Sequence, residues 1–298
     1  MDRAVSFDGG RLFGILTEST SATDRPCVLI LNAGLIYRVG PARLAVALAR
    51  SVRQAGFSSF RFDLSGLGDS EPRMPTVGVM DFAIADARAA MDHLHRHFGF
   101  RRFVLVGLCS GAVHAHHVAT ADVRVVGAAL LDGYVYLTLR SLFGDARERI
   151  RSPRRLARSV CRLAVRLAFG RGHAQIAIGE DHALIPPWPP RARVEADLRV
   201  LRDRGMALLY VFSAEWTAYR YAGQMNDAFR RVRYGPRLTE KQVAFAEHLY
   251  LDRRARAELL EIIRGWLAAH LGNESKPSAG QPSRKFPQSD GSLPPTRG

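Results

Sequence analysis

The chain has 298 residues, 47% of them hydrophobic, which is enough to bury the core of a single α/β domain. Its formal net charge is +15, but the cations are almost all Arg and only three are Lys. Because codon usage in a GC-rich genome produces such a bias by itself, the charge does not indicate a nucleic-acid partner, and we expect none.

Apolar runs and segments of helical periodicity alternate along the chain. A hairpin signal at Asp8-Gly9-Gly10 lies within residues 1–20, and the apolar runs that follow are typical of strands buried on both faces of a sheet. The predicted strands are 26–34, 58–64, 103–108, 124–133, 206–214 and 241–248, and the predicted helices are 42–57, 79–98, 111–121 and 252–271. This order predicts an α/β protein with a doubly wound, mostly parallel sheet covered by helices.

Two segments interrupt the alternation. Residues 138–195 lie between two strands of the parallel series and contain Arg-rich, helix-like sequence and the run IPPWPP. An insertion there lies above the carboxyl ends of the strands, where open sheets bind ligands, so we expect a helical lid. Residues 273–298 are rich in Pro, Ser, Gly and charge and are expected to be disordered. The predicted core is then formed by 1–137 and 196–272.

The cysteines and the N-terminal residues indicate the cellular compartment. Cys27, Cys109 and Cys161 show no close paired spacing, so neither a disulfide framework nor a zinc site is indicated. The N-terminal residues lack the apolar region of a signal peptide, and no apolar run approaches the roughly 20 residues that span a bilayer. We therefore expect a cytoplasmic protein without a transmembrane segment, a metal or a cofactor.

The segment Gly107-Leu108-Cys109-Ser110-Gly111 has the pattern of a nucleophile turn. It lies between a predicted strand and a predicted helix, and the glycines are needed because side chains at those two positions would clash where strand and helix approach. The helix N-terminus stabilises a thiolate. Ser110 as nucleophile would put Leu and Ala at the glycine positions, so Cys109 is favoured. The alternative is that Cys109 is a small buried hydrophobic residue.

Residues 31–70, LNAGLIYRVGPARLAVALARSVRQAGFSSFRFDLSGLGDS, resemble the front of an α/β hydrolase. They are similar in particular to bacterial hydrolases associated with exosortase and exopolysaccharide loci, in the pattern around YRVG and RFDLSGLGDS. The resemblance continues through 107–111 and 246–270, whereas the expected lid is poorly matched. It implies the α/β-hydrolase fold and the hydrolysis or transfer of an acyl group, and it does not identify that group.

Hydrolases of this fold carry nucleophile, acid and His in that chain order. Among ten His, only His248 both ends the last predicted strand and precedes the C-terminal helix, so His248 is the predicted base. The acid usually lies in the turn after strand 206–214, where Glu215 is the only carboxylate, and we favour Glu215. Asp132, at the end of strand 124–133, is the alternative.

Backbone N–H groups are the expected oxyanion donors. One is the N–H of Ser110, and the second is expected from the loop after the first parallel strand, as the N–H of Gly34 or Leu35. Asn32 either caps this loop or takes part in the site. The short Gly66-x-Gly68 pattern lacks the full dinucleotide fingerprint and predicts a tight turn.

Residues 147–171 contain nine Arg and one Glu, with apolar residues at helical spacing. We favour a lid helix that packs its apolar face over the pocket and leaves the Arg side chains in solvent. The alternative is an anionic partner, such as an acyl-carrier protein or the phosphates of coenzyme A.

The sequence thus predicts a cysteine-nucleophile acyl hydrolase that acts on a small ester or thioester, either free or carried by a partner. An acyltransferase on the same fold is the first alternative. A non-catalytic binding protein is the second, because the usual Gly and Asp are absent near the expected acid.

Overall fold

The structure is a computed structural model that describes residues 2–19, 25–73, 79–141 and 188–272. Most of the predicted lid lies outside the described residues, together with the Arg-rich segment 147–171, Cys161 and the predicted tail at 273–298.

The described residues form an eight-stranded sheet in the order β1-β2-β4-β3-β5-β6-β7-β8. The first strand pairs antiparallel to the second and the second antiparallel to the fourth, whereas all other pairs are parallel. The strands are β1 Asp2–Phe7, β2 Leu12–Thr17, β3 Cys27–Ile30, β4 Ser59–Phe62, β5 Phe103–Leu108, β6 Val125–Leu131, β7 Ala207–Ser213 and β8 Leu238–Val243. The expected doubly wound, mostly parallel sheet is therefore confirmed.

Helices cover both faces of this sheet, and each face has its own apolar cluster. The helices are α1 Leu44–Gln54, α2 Val79–Phe98, α3 Ser110–Ala121, α4 Arg191–Asp203, α5 Gln224–Ala228 and α6 Arg253–Leu271. Buried residues of α1 and α6, such as Leu48 and Ile263, share one cluster, and those of α2 and α4, such as Met91 and Leu198, share the other. Within the described ranges, no helix is both long and apolar enough to cross a membrane.

The last strand differs from its prediction, because it runs over Leu238–Val243 and not over 241–248. This strand lies at the edge of the sheet and pairs only with β7, so it carries partly exposed polar residues such as Thr239 and Glu240. A search for an apolar run misses such a strand and finds instead the turn that follows it, which contains His248.

Helix α4 was not predicted. It connects the insertion to β7 and buries Val194, Leu198 and Leu201, which lie at helical spacing among Arg residues. Its first five residues fall within the predicted lid segment 138–195. The extent of the lid itself stays a prediction, because residues 142–187 lie outside those that the structure describes.

Candidate active site

Cys109 stands between the central strand β5 and helix α3 in a strained backbone conformation, with φ 58° and ψ −118°. The surrounding backbone holds it there. The N–H of Cys109 donates to the carbonyl of Leu131 at 2.9 Å, and its own carbonyl accepts from the N–H of Ala112 at 3.0 Å. The half-buried thiol is thus presented at the carboxyl end of the sheet, at the N-terminus of α3.

Two glycines flank Cys109, and both are sterically required. A Cβ on Gly107 would lie 2.0 Å from the carbonyl oxygen of Gly111, and a Cβ on Gly111 would lie 2.4 Å from the carbonyl oxygen of Asn32. Real Cβ atoms do not approach backbone so closely, so strand, helix and the loop after β3 meet at a distance that only glycine permits. This geometry is the one expected from the glycine spacing in the sequence.

Gly107→Ala is expected to destabilise the protein by more than about 3 kcal/mol, because the clash is with rigid backbone. Gly265→Ala is the matched control, since its Cβ would meet nothing within 4 Å and Ala favours a helix interior. Urea unfolding should give a lower free energy of unfolding for the first variant and an unchanged or higher one for the second. Equal stability of the two variants would contradict the close approach described here.

His248 lies in the turn between β8 and α6, and its ring contacts a buried carboxylate. The Nδ1 atom of His248 is 3.0 Å from Oδ2 of Asp132, which is fully buried. The other carboxylate oxygen, Oδ1, accepts the backbone N–H of Ser213 at 2.6 Å, and the N–H of Asp132 donates to the carbonyl of Val211 at 2.9 Å. Asp132 is therefore held rigidly by β7 while it orients the imidazole.

Two neighbours act on the His248 ring, first Asp132 and then Cys109, and together they raise the pKa of His248 to about 10, against the opposing effect of burial. The imidazole is therefore charged at neutral pH. A thiolate beside an imidazolium that a carboxylate orients can attack a carbonyl carbon.

The contacts favour the alternative acid Asp132 over Glu215, because Asp132 and not Glu215 contacts the imidazole. Glu215 is exposed, and its carboxylate accepts the backbone N–H of His248 at 3.1 Å. Asp132 reaches the ring because it follows β6 and His248 follows β8, and only β7 lies between these two strands in the sheet. Glu215 therefore positions the turn that carries His248, and Asp132 replaces it as the candidate acid.

An aromatic stack, which sequence reasoning missed, covers the imidazole. The indole of Trp216 stacks on His248 with 5.0 Å between ring centroids and 14° between planes. Trp188 packs on Trp216 in turn, at 6.0 Å. The sequence did contain one signal for this stack, because Trp216 follows Glu215 directly in the turn that was expected to carry the acid. The stack fixes the plane of the imidazole ring and shields one face of it from water.

Two of the predicted oxyanion donors, Ser110 and Gly34, lie together at the start of α3. The backbone N–H of Ser110 opens the helix and so has no intrahelical acceptor. The N–H of Gly34 points at the side chain of Ser110, donating to its Oγ at 2.7 Å. Leu35 is exposed, at the tip of the same loop. Asn32 takes the capping role, because its amide donates to the carbonyl of Ile36 at 3.1 Å and its oxygen accepts the N–H of Leu64 at 2.9 Å.

A second His–carboxylate pair lies beneath the site. Nε2 of His116 is 3.0 Å from Oδ2 of Asp197, and its Nδ1 is 2.8 Å from the hydroxyl of Tyr134. All three residues are buried, and they tie helices α3 and α4 to the segment that follows Asp132. In the part of the chain that the structure describes, no group of three His, Cys, Asp or Glu is arranged to hold a metal ion.

The comparisons with known proteins agree with this architecture. Residues 26–152 match the family described as alpha/beta hydrolase fold. An esterase from Pyrococcus furiosus is 14% identical with a TM-score of 0.60, covering 91% of both chains. A dienelactone hydrolase from Anabaena variabilis is 14% identical with a TM-score of 0.55, covering 91% of this chain and 98% of that one.

An esterase domain from Rhodothermus marinus is likewise 14% identical with a TM-score of 0.54, covering 91% of this chain and 98% of that domain. No curated protein matches the sequence. At this level of identity the solved structures establish the fold, and the chain therefore has the α/β-hydrolase fold.

Proposed function

We propose that this protein of the α/β-hydrolase fold hydrolyses an ester or thioester bond, with Cys109 as nucleophile, His248 as acid and base, and Asp132 as the residue that orients His248. The observation that supports this most strongly is the contact between the imidazole of His248 and the buried Asp132 carboxylate, on a histidine whose pKa Asp132 and Cys109 both raise. Cys109 lies on a strained turn that two glycines make sterically feasible.

In the acylation half, Cys109 attacks the carbonyl carbon as the thiolate of a thiolate–imidazolium pair, so its proton is already on His248, and the carbonyl π electrons move to oxygen. The N–H of Ser110 donates to that oxyanion. When the tetrahedral intermediate collapses, the C–O or C–S bond of the substrate breaks and the imidazolium of His248 gives its proton to the leaving alcohol or thiol. The product of this half is an acyl thioester on Cys109.

In the deacylation half, neutral His248 accepts a proton from water as the water oxygen attacks the thioester carbonyl. The second intermediate collapses with departure of the Cys109 thiolate, which restores the pair with the His248 imidazolium. The sum is an ester or thioester plus water, giving an acid plus an alcohol or thiol. An ester or thioester suits this cycle better than an amide, because an amine is a poorer leaving group for displacement by a thiolate.

The similar structures include two esterases and a dienelactone hydrolase, so simple esters and lactones are the first substrates to assay. The test combines turnover of an ester, lactone and thioester panel with intact-mass analysis after iodoacetamide. Turnover with selective alkylation of Cys109 over Cys27 is the expected result. Absence of turnover, with Cys109 no more reactive than Cys27, would contradict the enzyme activity.

The observed contacts weaken the non-catalytic alternative. That alternative arose because no Asp follows strand 206–214, and the contact between Asp132 and His248 supports an acid from the neighbouring strand instead. We further propose, from the resemblance of residues 31–70, that the protein belongs with the exosortase-associated hydrolases. A cytoplasmic location suits a reduced thiol nucleophile. Docking of a carrier protein on the Arg-rich segment 147–171 stays a separate proposal.

The pKa of His248, raised to about 10, predicts the pH dependence of turnover. Because the folded value lies above the ordinary 6.5, the protonated imidazole stabilises the fold fully below pH 6.5, and this stabilisation is lost as pH rises through about 10. Turnover of an ethyl ester needs the same proton for its leaving group, so kcat/KM should fall as pH rises through about 10.

Asp132→Asn removes the largest cause of the raised pKa of His248. The fall of kcat/KM at alkaline pH, the alkaline limb of the pH profile, should therefore move toward neutral pH. A nitrophenyl ester is the control substrate, because its leaving group departs without a proton and its alkaline limb should be much weaker. A wild-type limb near pH 7 for the ethyl ester would contradict the raised pKa of His248.

A further inference from the structure

The side chain of Ser110 accepts a hydrogen bond from one of the predicted oxyanion donors. Its Oγ accepts the N–H of Gly34 at 2.7 Å, the distance at which a backbone donor holds a substrate oxygen. The Ser110 side chain is buried, with 2% of the residue exposed, so its hydroxyl is held in place by the site and is not a surface group. Gly34 is one of the two loop residues that the sequence assigned to the oxyanion directly.

A hydroxyl that accepts one hydrogen bond still has its own proton to donate. In the described ranges, the contact with Gly34 is the one hydrogen bond found for the Ser110 hydroxyl, and its proton has no acceptor there. The backbone N–H of the same residue also lacks an intrahelical acceptor, because Ser110 opens α3. Ser110 therefore offers two donors next to the nucleophile.

We infer that the hydroxyl of Ser110 is a catalytic donor to the oxyanion, acting beside its own backbone N–H, and that Gly34 serves indirectly by donating to Oγ. This inference rests on the hydrolase activity proposed above. As the sulfur of Cys109 bonds to the carbonyl carbon, negative charge develops on the substrate oxygen. Ser110 stabilises that charge through O–H and N–H and transfers no proton, so its own charge never changes.

The hydrogen bond from Gly34 strengthens the Ser110 donor. Hydrogen bonds in a chain polarise one another, so a hydroxyl that accepts from a backbone N–H donates more strongly through its proton. The same bond removes rotational freedom from the hydroxyl before substrate arrives, which lowers the reorganisation needed during the reaction. The opposite view is that Oγ only occludes Gly34 and must move aside when substrate binds.

Ser110→Ala separates the two views by the direction of its effect. Loss of a donor should lower kcat/KM for an ester by about 10²-fold, mostly in kcat, since removal of one oxyanion donor has that scale. Loss of an occluding group should leave kcat/KM unchanged or raise it, because the N–H of Gly34 becomes free to reach the substrate oxygen.

The rate at which iodoacetamide alkylates Cys109 distinguishes a donor from a merely structural residue. If Ser110 only supports the structure of the site, Ser110→Ala should change this rate. Attack on a saturated carbon develops no oxyanion, so Ser110→Ala should alkylate at the wild-type rate if the Cys109–His248 pair is intact. Inhibition by an aldehyde, which forms a hemithioacetal with an oxygen in the same place, should weaken in parallel with kcat/KM. Ser110→Thr retains a hydroxyl and should recover part of the activity lost in Ser110→Ala.

Ser59→Ala is the matched control, because it removes a buried serine hydroxyl that lies in β4 and has no hydrogen-bond partner among the described residues. It should leave both turnover and alkylation unchanged. Reduced alkylation in Ser110→Ala, or turnover equal to or above wild type, would overturn the donor role. A wild-type protein without turnover on any ester or thioester would overturn the proposed function and with it this inference, whereas an active wild type with an unimpaired Ser110→Ala overturns the inference alone.

Discussion

Cys109→Ala should abolish ester and thioester turnover, with a fall in kcat of about 10⁶-fold, the scale observed when the nucleophile of a hydrolase triad is removed. Without sulfur no acyl-enzyme forms, and water would have to attack the substrate directly with only His248 to activate it. The variant should remain folded, since the strained backbone of residue 109 is held by hydrogen bonds to Leu131 and Ala112 and not by its side chain.

Cys27→Ala is the control for loss of a thiol. Cys27 is fully buried on β3, and burial raises the pKa of its thiol, so it stays protonated and unreactive. Its replacement should leave turnover intact at some cost in stability from the smaller side chain. Measured kcat for an ester, together with trapping of the acyl group on the protein by mass spectrometry, checks both variants. An acyl adduct that survives Cys109→Ala would show that a different residue is the nucleophile.

Asp132→Asn should lower kcat about 10³-fold, somewhat less than the 10⁴-fold loss in a serine triad, because a thiolate needs less help from its base. The reason lies in the two contacts of the carboxylate. If the amide oxygen keeps the N–H of Ser213, the amide nitrogen must face Nδ1 of His248, and two donors then oppose each other. The ring must adopt the wrong tautomer or turn away from Cys109.

Glu215→Gln tests the residue that sequence reasoning preferred. The amide oxygen of Gln still accepts the backbone N–H of His248, so this exposed position should tolerate the change with little loss of kcat. Parallel kinetics of the two variants, with circular dichroism to confirm the fold, give the comparison. A large loss for Glu215→Gln with near-normal turnover for Asp132→Asn would reverse the assignment of the acid.

The choice between Asp132 and Glu215 shows which part of the site could not be predicted from the sequence. Apolar runs located the strands, and the glycine pattern located Cys109, because both are local features with local physical causes. The acid is not local, since Asp132 and His248 lie far apart in the chain and meet only because β6 adjoins β7 and β7 adjoins β8. The positive φ of Asp132, 44°, which accompanies its turn toward the histidine, leaves no mark in the sequence.

Contacts between side chains in space were likewise beyond the sequence. The stack of Trp216 on His248 and the bond from Gly34 to the Ser110 hydroxyl join residues on different elements, and no periodicity relates them. Helix α4 was missed for another reason, because its Arg-rich surface concealed three buried residues at helical spacing. The predicted lid and its Arg-rich helix lie outside the described residues and stay predictions.

Because β8 lies at the edge of the sheet, the residues of the active site differ in how firmly the sheet holds them. Cys109 and Asp132 are bonded through their backbones to central strands, so thermal motion moves them only together with the sheet. His248 follows the outermost strand of the described sheet, and local unfolding begins where fewest neighbours must be released. On warming, we therefore expect local unfolding to move His248 out of the site before Cys109 and Asp132 separate. The stack of Trp216 on His248 should delay this step.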